Sequence, residues 1–89
     1  MVEYRNHNNE VVDMEAAVVC ANFTVAWVDA EVECTRLEFD ALWAVRRTVG
    51  GITAAYGKVA RKDHAFYWVG HPNAYNTFDE AARKIITPV

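Results

Sequence analysis

Cysteine and proline are scarce in this chain, with two of each among 89 residues. So few cysteines exclude a disulfide-dense secreted mini-protein, and we interpret Cys20 and Cys34 as reduced, buried thiols. No apolar run approaches the roughly 20 residues that a membrane-spanning helix needs. The N-terminal segment lacks the basic start and apolar stretch of a signal peptide. These absences predict a cytoplasmic protein with no membrane association.

Signatures of catalysis and of ligand binding are also missing. The two cysteines form no Cys-x-x-Cys pair, and His64 and His71 flank a predicted strand instead of grouping with them. Gly50-Gly51 follows a predicted helix, whereas a phosphate-binding loop precedes one. The acidic residues occupy polar or alternating positions, which are typical of solvated faces. We therefore predict no enzyme activity, no catalytic residue, no metal site and no cofactor.

What the chain does contain is an ordinary globular composition with many aromatic residues. Hydrophobic residues make up 53% of the sequence and charged residues 24%, so residues 1–89 are expected to form one domain. Three Trp, four Tyr and four Phe offer more aromatic surface than so small a core needs. Because Tyr, Trp and Arg are enriched in interface hot spots, this excess favours a binding function.

Alternating apolar and polar residues predict several strands. The predicted strands are Phe23–Val28, Glu31–Cys34, Ile52–Ala60 and Ala65–Gly70, with turn-forming residues between them and a bulge expected at Gly57. The alternation from Val12 to Cys20 favours a strand there, but Met14, Glu15 and two alanines also suit a helix. Whether residues 11–20 are strand or helix stays open at this point.

Two helices are predicted, at about 36–49 and 78–86. Each follows a Thr-x-x-Glu capping box, Thr35 with Glu38 and Thr77 with Glu80, and carries apolar residues at helical spacing. Gly50-Gly51 and Pro88 are the expected stop signals. The predicted fold is therefore α+β, a small antiparallel β-sheet with two α-helices packed on it.

Charge is unevenly distributed along the chain. Residues 1–40 hold nine acidic and two basic residues, whereas residues 41–89 hold seven basic and three acidic ones. If the two parts map to different surfaces, the molecule is a dipole that steers association; if the fold interleaves them, the charge averages out. An acidic part that meets the basic part of another copy, or an exposed sheet edge, makes a homodimer a further candidate.

The basic and aromatic residues of the hairpin around residues 58–64 are the predicted binding site. Strand alternation places Tyr67 and Trp68 on opposite sides, so one of the two rings is expected outside. We expect the hairpin cations to be solvent-exposed around the turn at Arg61–His64. The candidate partner-binding residues are Tyr56, Lys58, Arg61, Lys62, His64, Tyr67, Trp68 and Tyr75.

Two short segments resemble parts of DNA-binding families. Val32–Trp43, with its Thr-x-x-Glu-Phe pattern, resembles the strand-to-first-helix segment of response-regulator winged-helix effector domains. Tyr67–Lys84 is similar to the sheet-then-helix segment of small integrase arm-type DNA-binding domains. Both resemblances imply nucleic-acid binding, although a Thr-x-x-Glu capping box also occurs in helices generally.

Together these features predict a non-enzymatic interaction protein that binds a larger macromolecule, most simply a protein, and modulates or inhibits it. Small accessory proteins of phages and mobile elements are of this type. The alternative is a nucleic-acid-binding domain that uses the basic hairpin 58–64 and its neighbouring aromatic residues. The acidic pI of about 5.5 favours the protein partner over nucleic acid.

Overall fold

Eight antiparallel strands form one strongly curled sheet, a half-barrel, in the computed structural model, which describes residues 1–86. The strands are β1 (Glu3–Asn6), β2 (Val11–Val12), β3 (Asn22–Ala26), β4 (Glu31–Glu38), β5 (Leu42–Val49), β6 (Ile52–Lys62), β7 (Ala65–Trp68) and β8 (Ala74–Tyr75). Two five-residue helices, α1 (Met14–Val18) and α2 (Phe78–Ala82), complete the fold, and α2 continues into a 3₁₀ turn, Arg83–Ile85. The spatial order of the strands, β2-β1-β3-β4-β5-β6-β7-β8, almost follows the chain.

The core fills the concave side of this sheet. Phe78 of α2 lies at its centre, with ring centroids 5.2 Å from Phe23, 5.3 Å from Trp43 and 5.7 Å from Phe66, all edge-on or nearly so. Such geometry suits the quadrupoles of aromatic rings. The Trp43 indole N–H donates to the Val18 carbonyl at 3.1 Å, so the one polar atom of that buried ring is satisfied.

The convex side of the sheet, called here the outer face, is exposed. Alternate residues of each strand point to it, because their neighbours in the chain are the buried core residues. Glu31, Glu33 and Thr35 of β4 are exposed between the buried Val32 and Cys34. The sheet therefore has one face buried against the core and one face exposed to solvent, as antiparallel sheets commonly do.

The predicted fold, a sheet with two α-helices packed on it, is wrong: about half of the chain is strand and 15% is helix. The predicted helix at 36–49 is instead the end of β4, a turn through Asp40 (φ 54°), and β5. Its supposed apolar stripe included Leu37 and Val49, which are 47% and 56% exposed. Trp43 and Val45 are two positions apart, so a pleated strand buries both of them on the concave side of the sheet.

The turn after β5 and the register of the β5–β6 hairpin also differ from the prediction. Gly50 and Gly51 form the two-residue turn between β5 and β6, with φ of 58° and 81°, rather than a helix end. The register shift in this hairpin lies between Arg47 and Thr48 and not at Gly57. A Cβ built on Gly57 would overlap the Trp68 indole, so glycine allows that ring to lie against β6.

The two segments that become helices were predicted unequally well. Residues 11–20, for which the sequence allows strand or helix, contain the short strand β2 and helix α1. The Asp13 carboxylate caps the first turn of α1 by accepting from the Ala16 N–H at 2.8 Å. The second predicted helix begins where expected, with Thr77 Oγ1 accepting from the Glu80 N–H at 3.4 Å, but turns 3₁₀ at Arg83. Its expected stop at Pro88 lies outside the described residues.

One hydrogen-bonded pair joins β1, near one edge of the sheet, to α2. The Tyr4 hydroxyl donates to Asp79 Oδ1 at 2.7 Å and accepts from the Asp79 N–H at 2.8 Å. Burial and this carboxylate raise the pKa of Tyr4 far above its ordinary value.

None of the helices in residues 1–86 is long and apolar enough to cross a membrane.

Candidate partner-binding surface

The acidic and basic parts of the sequence lie side by side in the sheet, because the strand order nearly follows the chain. Within residues 1–86, four of the five ion pairs join the two parts: Arg46–Glu33, Arg61–Glu15, Arg61–Asp40 and Arg83–Asp29. The hydrogen bonds from Arg83 lower the pKa of the Asp29 carboxyl. These pairs occupy three arginines, whereas Lys58 and Lys62 form no ion pair with the described residues.

Four of the predicted site residues share the outer face. Tyr56, Lys58 and Lys62 lie on alternate positions of β6, and Tyr67 of β7 is opposite Ala60, between the two lysines. Tyr56 is 56% exposed, and both lysines are exposed, whereas Tyr67 is half-buried. We call these four residues the tyrosine–lysine patch. Its floor is made of small side chains, including Ala44 and Ala60.

The lysines of this patch carry uncompensated charge. Neither Lys58 nor Lys62 makes a side-chain hydrogen bond or ion pair with any residue of the described chain. At about 3.3 Å of rise per residue their Cα atoms are about 13 Å apart. Two unpaired cations therefore lie beside two aromatic rings on one exposed face of the sheet.

Arg61 does not belong to the patch, and the expectation that it is solvent-exposed is wrong. Its side chain is 15% exposed and points to the concave side, with the guanidinium 5.0 Å from the centroid of the buried Phe66 ring. It donates to Asp40 Oδ1 at 2.9 Å and to Glu15 Oε1 at 3.2 Å. Arg61 thus ties α1, the β4–β5 turn and β6 together, which is a structural role.

His64 and Asp63 form the two-residue turn between β6 and β7. Their φ angles are 66° and 52°, the left-handed values that such a hairpin turn requires and that glycine or asparagine adopts most easily. A histidine held there is strained, and strain of this kind clusters at functional sites. The exposed His64 and Lys62 border an open cleft of about 480 Å³ that also contains Arg61, Asp40 and Phe39.

Trp68 and Tyr75, the remaining predicted site residues, point to the concave side. The Trp68 ring lies against Gly57, and its centroid is 6.0 Å from that of His71. The Tyr75 ring is half-buried beneath the Lys84 ammonium, which is 5.8 Å from the ring centroid. The structure therefore brings four of the eight predicted residues together on the outer face; His64 and Arg61 meet Lys62 only at the neighbouring cleft, and Trp68 and Tyr75 lie on the concave side.

The interior formed by residues 1–86 contains no buried polar or charged side chain. Cys34 is 1% exposed, and burial raises the pKa of its thiol, so it packs as a small apolar residue instead of acting as a nucleophile. In the part of the chain that the structure describes, no three His, Cys, Asp or Glu side chains gather as metal ligands. The polar and charged side chains of the described residues therefore lie at or near the surface.

The sequence did not predict the surface positions of Arg46 and Phe39. Arg46 lies opposite Tyr56 on the outer face and is held at 2.7 Å by Glu33, at the border between the acidic and basic parts. Its position follows from the alternation with the buried Trp43 and Val45, which the predicted helix concealed. Phe39, 67% exposed in the β4–β5 turn, was likewise hidden by that helix.

Comparisons with protein-family models, with curated proteins and with solved structures find no significant match to this chain. The two DNA-binding resemblances are also weakened by the structure, because Thr35 and Glu38 lie in β4 and cap no helix. The functional conclusion therefore depends on the surface itself.

Proposed function

We propose that this protein is a non-enzymatic interaction module that binds a larger protein through the tyrosine–lysine patch and modulates or inhibits it. One observation carries the proposal: two tyrosines and two unpaired lysines share a single exposed sheet face. Tyrosine gives a large, rigid contact area at low entropic cost and often dominates binding energy. Lysines at the margin of a contact accelerate association with an acidic surface.

The outer face also bears charges that favour a protein over nucleic acid. Glu31 and Glu33 project from β4 on the same face as the patch, two strands away from β6. A phosphate backbone that extended from the lysines toward β4 would be repelled by the Glu31 carboxylate, since Glu33 is already paired with Arg46, and the net charge of −3 adds to this repulsion. A protein partner can instead place acidic residues over Lys58 and Lys62 and neutral or basic residues over β4.

The protein-binding proposal is tested by affinity capture from the native host lysate, followed by kinetics on the captured protein. We expect one protein in stoichiometric amount, insensitive to nuclease. Tyr56→Ala should accelerate dissociation by roughly 30-fold, the equivalent of a hot spot of about 2 kcal/mol. Lys58→Ala should mainly slow association. Lys84→Ala is the matched control, because Lys84 is exposed but lies away from the outer face.

A result in which Tyr56→Ala and Lys84→Ala both bind like the parent would exclude the patch as the binding surface. Capture that disappears after nuclease treatment would instead favour nucleic acid. These two outcomes are distinct, because the first concerns the surface and the second the class of partner.

Single-stranded nucleic acid is the second candidate, supported by the co-facial arrangement of Lys58, Lys62, Tyr56 and Tyr67. Aromatic rings that stack bases beside cations that follow the backbone are the usual means of binding such strands. Fluorescence anisotropy with single- and double-stranded oligonucleotides at two salt concentrations tests it. For two phosphate contacts, Lys58→Ala/Lys62→Ala should reduce the salt slope by about 1.4. Absence of micromolar binding by the parent would rule this candidate out.

The cytoplasm is the compartment that we propose for this activity. Cys20 and Cys34 are both free thiols, the usual state of cysteines in a reducing compartment. We further propose that the protein is of the phage or mobile-element accessory type.

A further inference from the structure

The tyrosine–lysine patch has a regular spacing along β6. The register is unbroken with β5 from Ala55 to Ala60 and with β7 from Val59 to Lys62, so every second residue of this stretch faces outward. The outward residues are, in order along the strand, Tyr56, Lys58, Ala60 and Lys62. The two cations are therefore separated by one small side chain, and their Cα atoms are about 13 Å apart.

The surface between the two lysines is neutral and largely apolar. Ala60 lies there, opposite Leu42 of β5 on one side and Tyr67 of β7 on the other. All three side chains are half-buried, so each keeps part of its carbon surface on the outer face. An occupant that follows β6 meets a cation, an apolar position and a second cation in succession.

The charges near the two lysines favour an acidic occupant. Glu15 and Asp40, which share the neighbouring cleft with Lys62, are both paired with Arg61. The exposed Asp63 directly follows Lys62 in the turn and reduces the attraction at that end. Lys58 lies opposite Ala44 and forms no ion pair with the described residues, so its charge is the stronger attraction.

We propose that the tyrosine–lysine patch binds an extended acidic segment of its protein partner, with Asp or Glu at positions i and i+4 and an apolar residue at i+2. The inference rests on the proposed function, whose partner it specifies. In an extended chain these three positions lie on one side, and i and i+4 are about 13 Å apart. This separation matches that of Lys58 and Lys62. The apolar side chain at i+2 would then lie over Ala60 and Tyr67.

An extended segment fits this spacing better than a helix does. Residues on one helix face recur after about 11 Å, for seven residues, or about 16 Å, for eleven. Neither equals the separation of the two lysines, so a helix would face only one of them squarely. Strands that pack face to face also keep their directions within about 30° of each other, so an extended segment would follow β6.

NMR titration of the isotope-labelled protein with synthetic peptides tests the proposal. The probe is Leu-Ser-Glu-Ser-Val-Ser-Glu, and its control, Leu-Ser-Glu-Glu-Val-Ser-Ser, has the same composition with adjacent glutamates. The probe should shift the amide signals of Lys58–Lys62 and Tyr67. It should also bind about threefold tighter than the control, which loses one exposed ion pair.

Charge reversal supplies a second comparison. Lys58→Glu/Lys62→Glu should lose the probe and instead bind Leu-Ser-Lys-Ser-Val-Ser-Lys, because the signs of both contacts are exchanged. Lys84→Glu is the matched control and should bind the probe like the parent, since Lys84 is exposed but lies away from the outer face.

Equal affinity of the parent for the probe and its control would overturn the proposed spacing, and this comparison needs no variant to fold. Absence of binding to either peptide at millimolar concentration would overturn the inference as a whole. If Tyr56→Ala still accelerated dissociation of the captured partner in that case, the proposed function would stand without it. If Tyr56→Ala had no effect on the captured partner, the proposed function itself would be contradicted.

Discussion

Removing the Tyr4 hydroxyl should lower the free energy of unfolding substantially. Tyr4→Phe removes the 2.7 Å bond to the Asp79 carboxylate and the 2.8 Å bond from the Asp79 N–H, but keeps the ring that packs beside Phe23. A hydrogen bond to a charged group contributes about 1.5–3 kcal/mol and a neutral one about 1 kcal/mol. Because these bonds compete with water at a partly buried site, we expect a loss of about 2–3 kcal/mol in unfolding free energy.

Urea denaturation followed by tryptophan fluorescence measures this loss, and a thermal melt should show a decrease of roughly 10–20 °C in Tm. Tyr67→Phe is the matched control, because the Tyr67 hydroxyl has no hydrogen-bond partner in the described chain and should cost less than about 0.5 kcal/mol. If Tyr4→Phe were as mild as the control, the connection between β1 and α2 would contribute little, and the reasoning would be refuted.

Two further predictions concern Arg61 and alkaline pH. Arg61→Ala should cost about 1–2 kcal/mol through its ion pairs and its contact with Phe66, whereas Lys62→Ala should stay within about 0.5 kcal/mol in the same urea assay; equal effects would contradict the structural role of Arg61. Burial raises the folded-state pKa of Cys34 and of Tyr4 above their ordinary values of 9.0 and 10.0, so the stability that they contribute is complete below pH 9 and is lost as pH rises further. Urea melts from pH 7 to 10.5 should show this decline, and Cys34→Val should delay its onset; a flat profile in the parent would disprove it.

Strand alternation predicted much of the sheet from the sequence. The β-branched and aromatic residues of the runs around Phe23–Val25, Val59 and Phe66 predicted strands there, and the structure confirms these strands. The same alternation separates Tyr67 from Trp68. Alternation also puts Lys58 and Lys62 on one side of β6 and Arg61 on the other, so Arg61 faces inward.

The helix predicted at 36–49 shows why the rest could not be predicted. Thr35 with Glu38 fits a capping box, and Leu37, Ala41, Val45 and Val49 recur at helical spacing, so local pattern alone supports a helix. Only pairing with distant strands, Cys34 with Phe23 and Trp43 with Val59, reveals that sheet burial is the better solution. Residues 11–20 were ambiguous for the same reason, since α1 is held mainly by contacts such as Val18 with Trp43.

The most direct test of the proposed function measures whether the tyrosine–lysine patch becomes protected from solvent when the partner binds. Hydroxyl-radical footprinting of the protein with its captured partner compares oxidation of individual side chains in the free and bound states. Tyr56 and Tyr67 should become protected, while Phe39, which is 67% exposed in the β4–β5 turn, should be oxidised as before. Protection of Phe39 with Tyr56 and Tyr67 unchanged would contradict binding through the tyrosine–lysine patch.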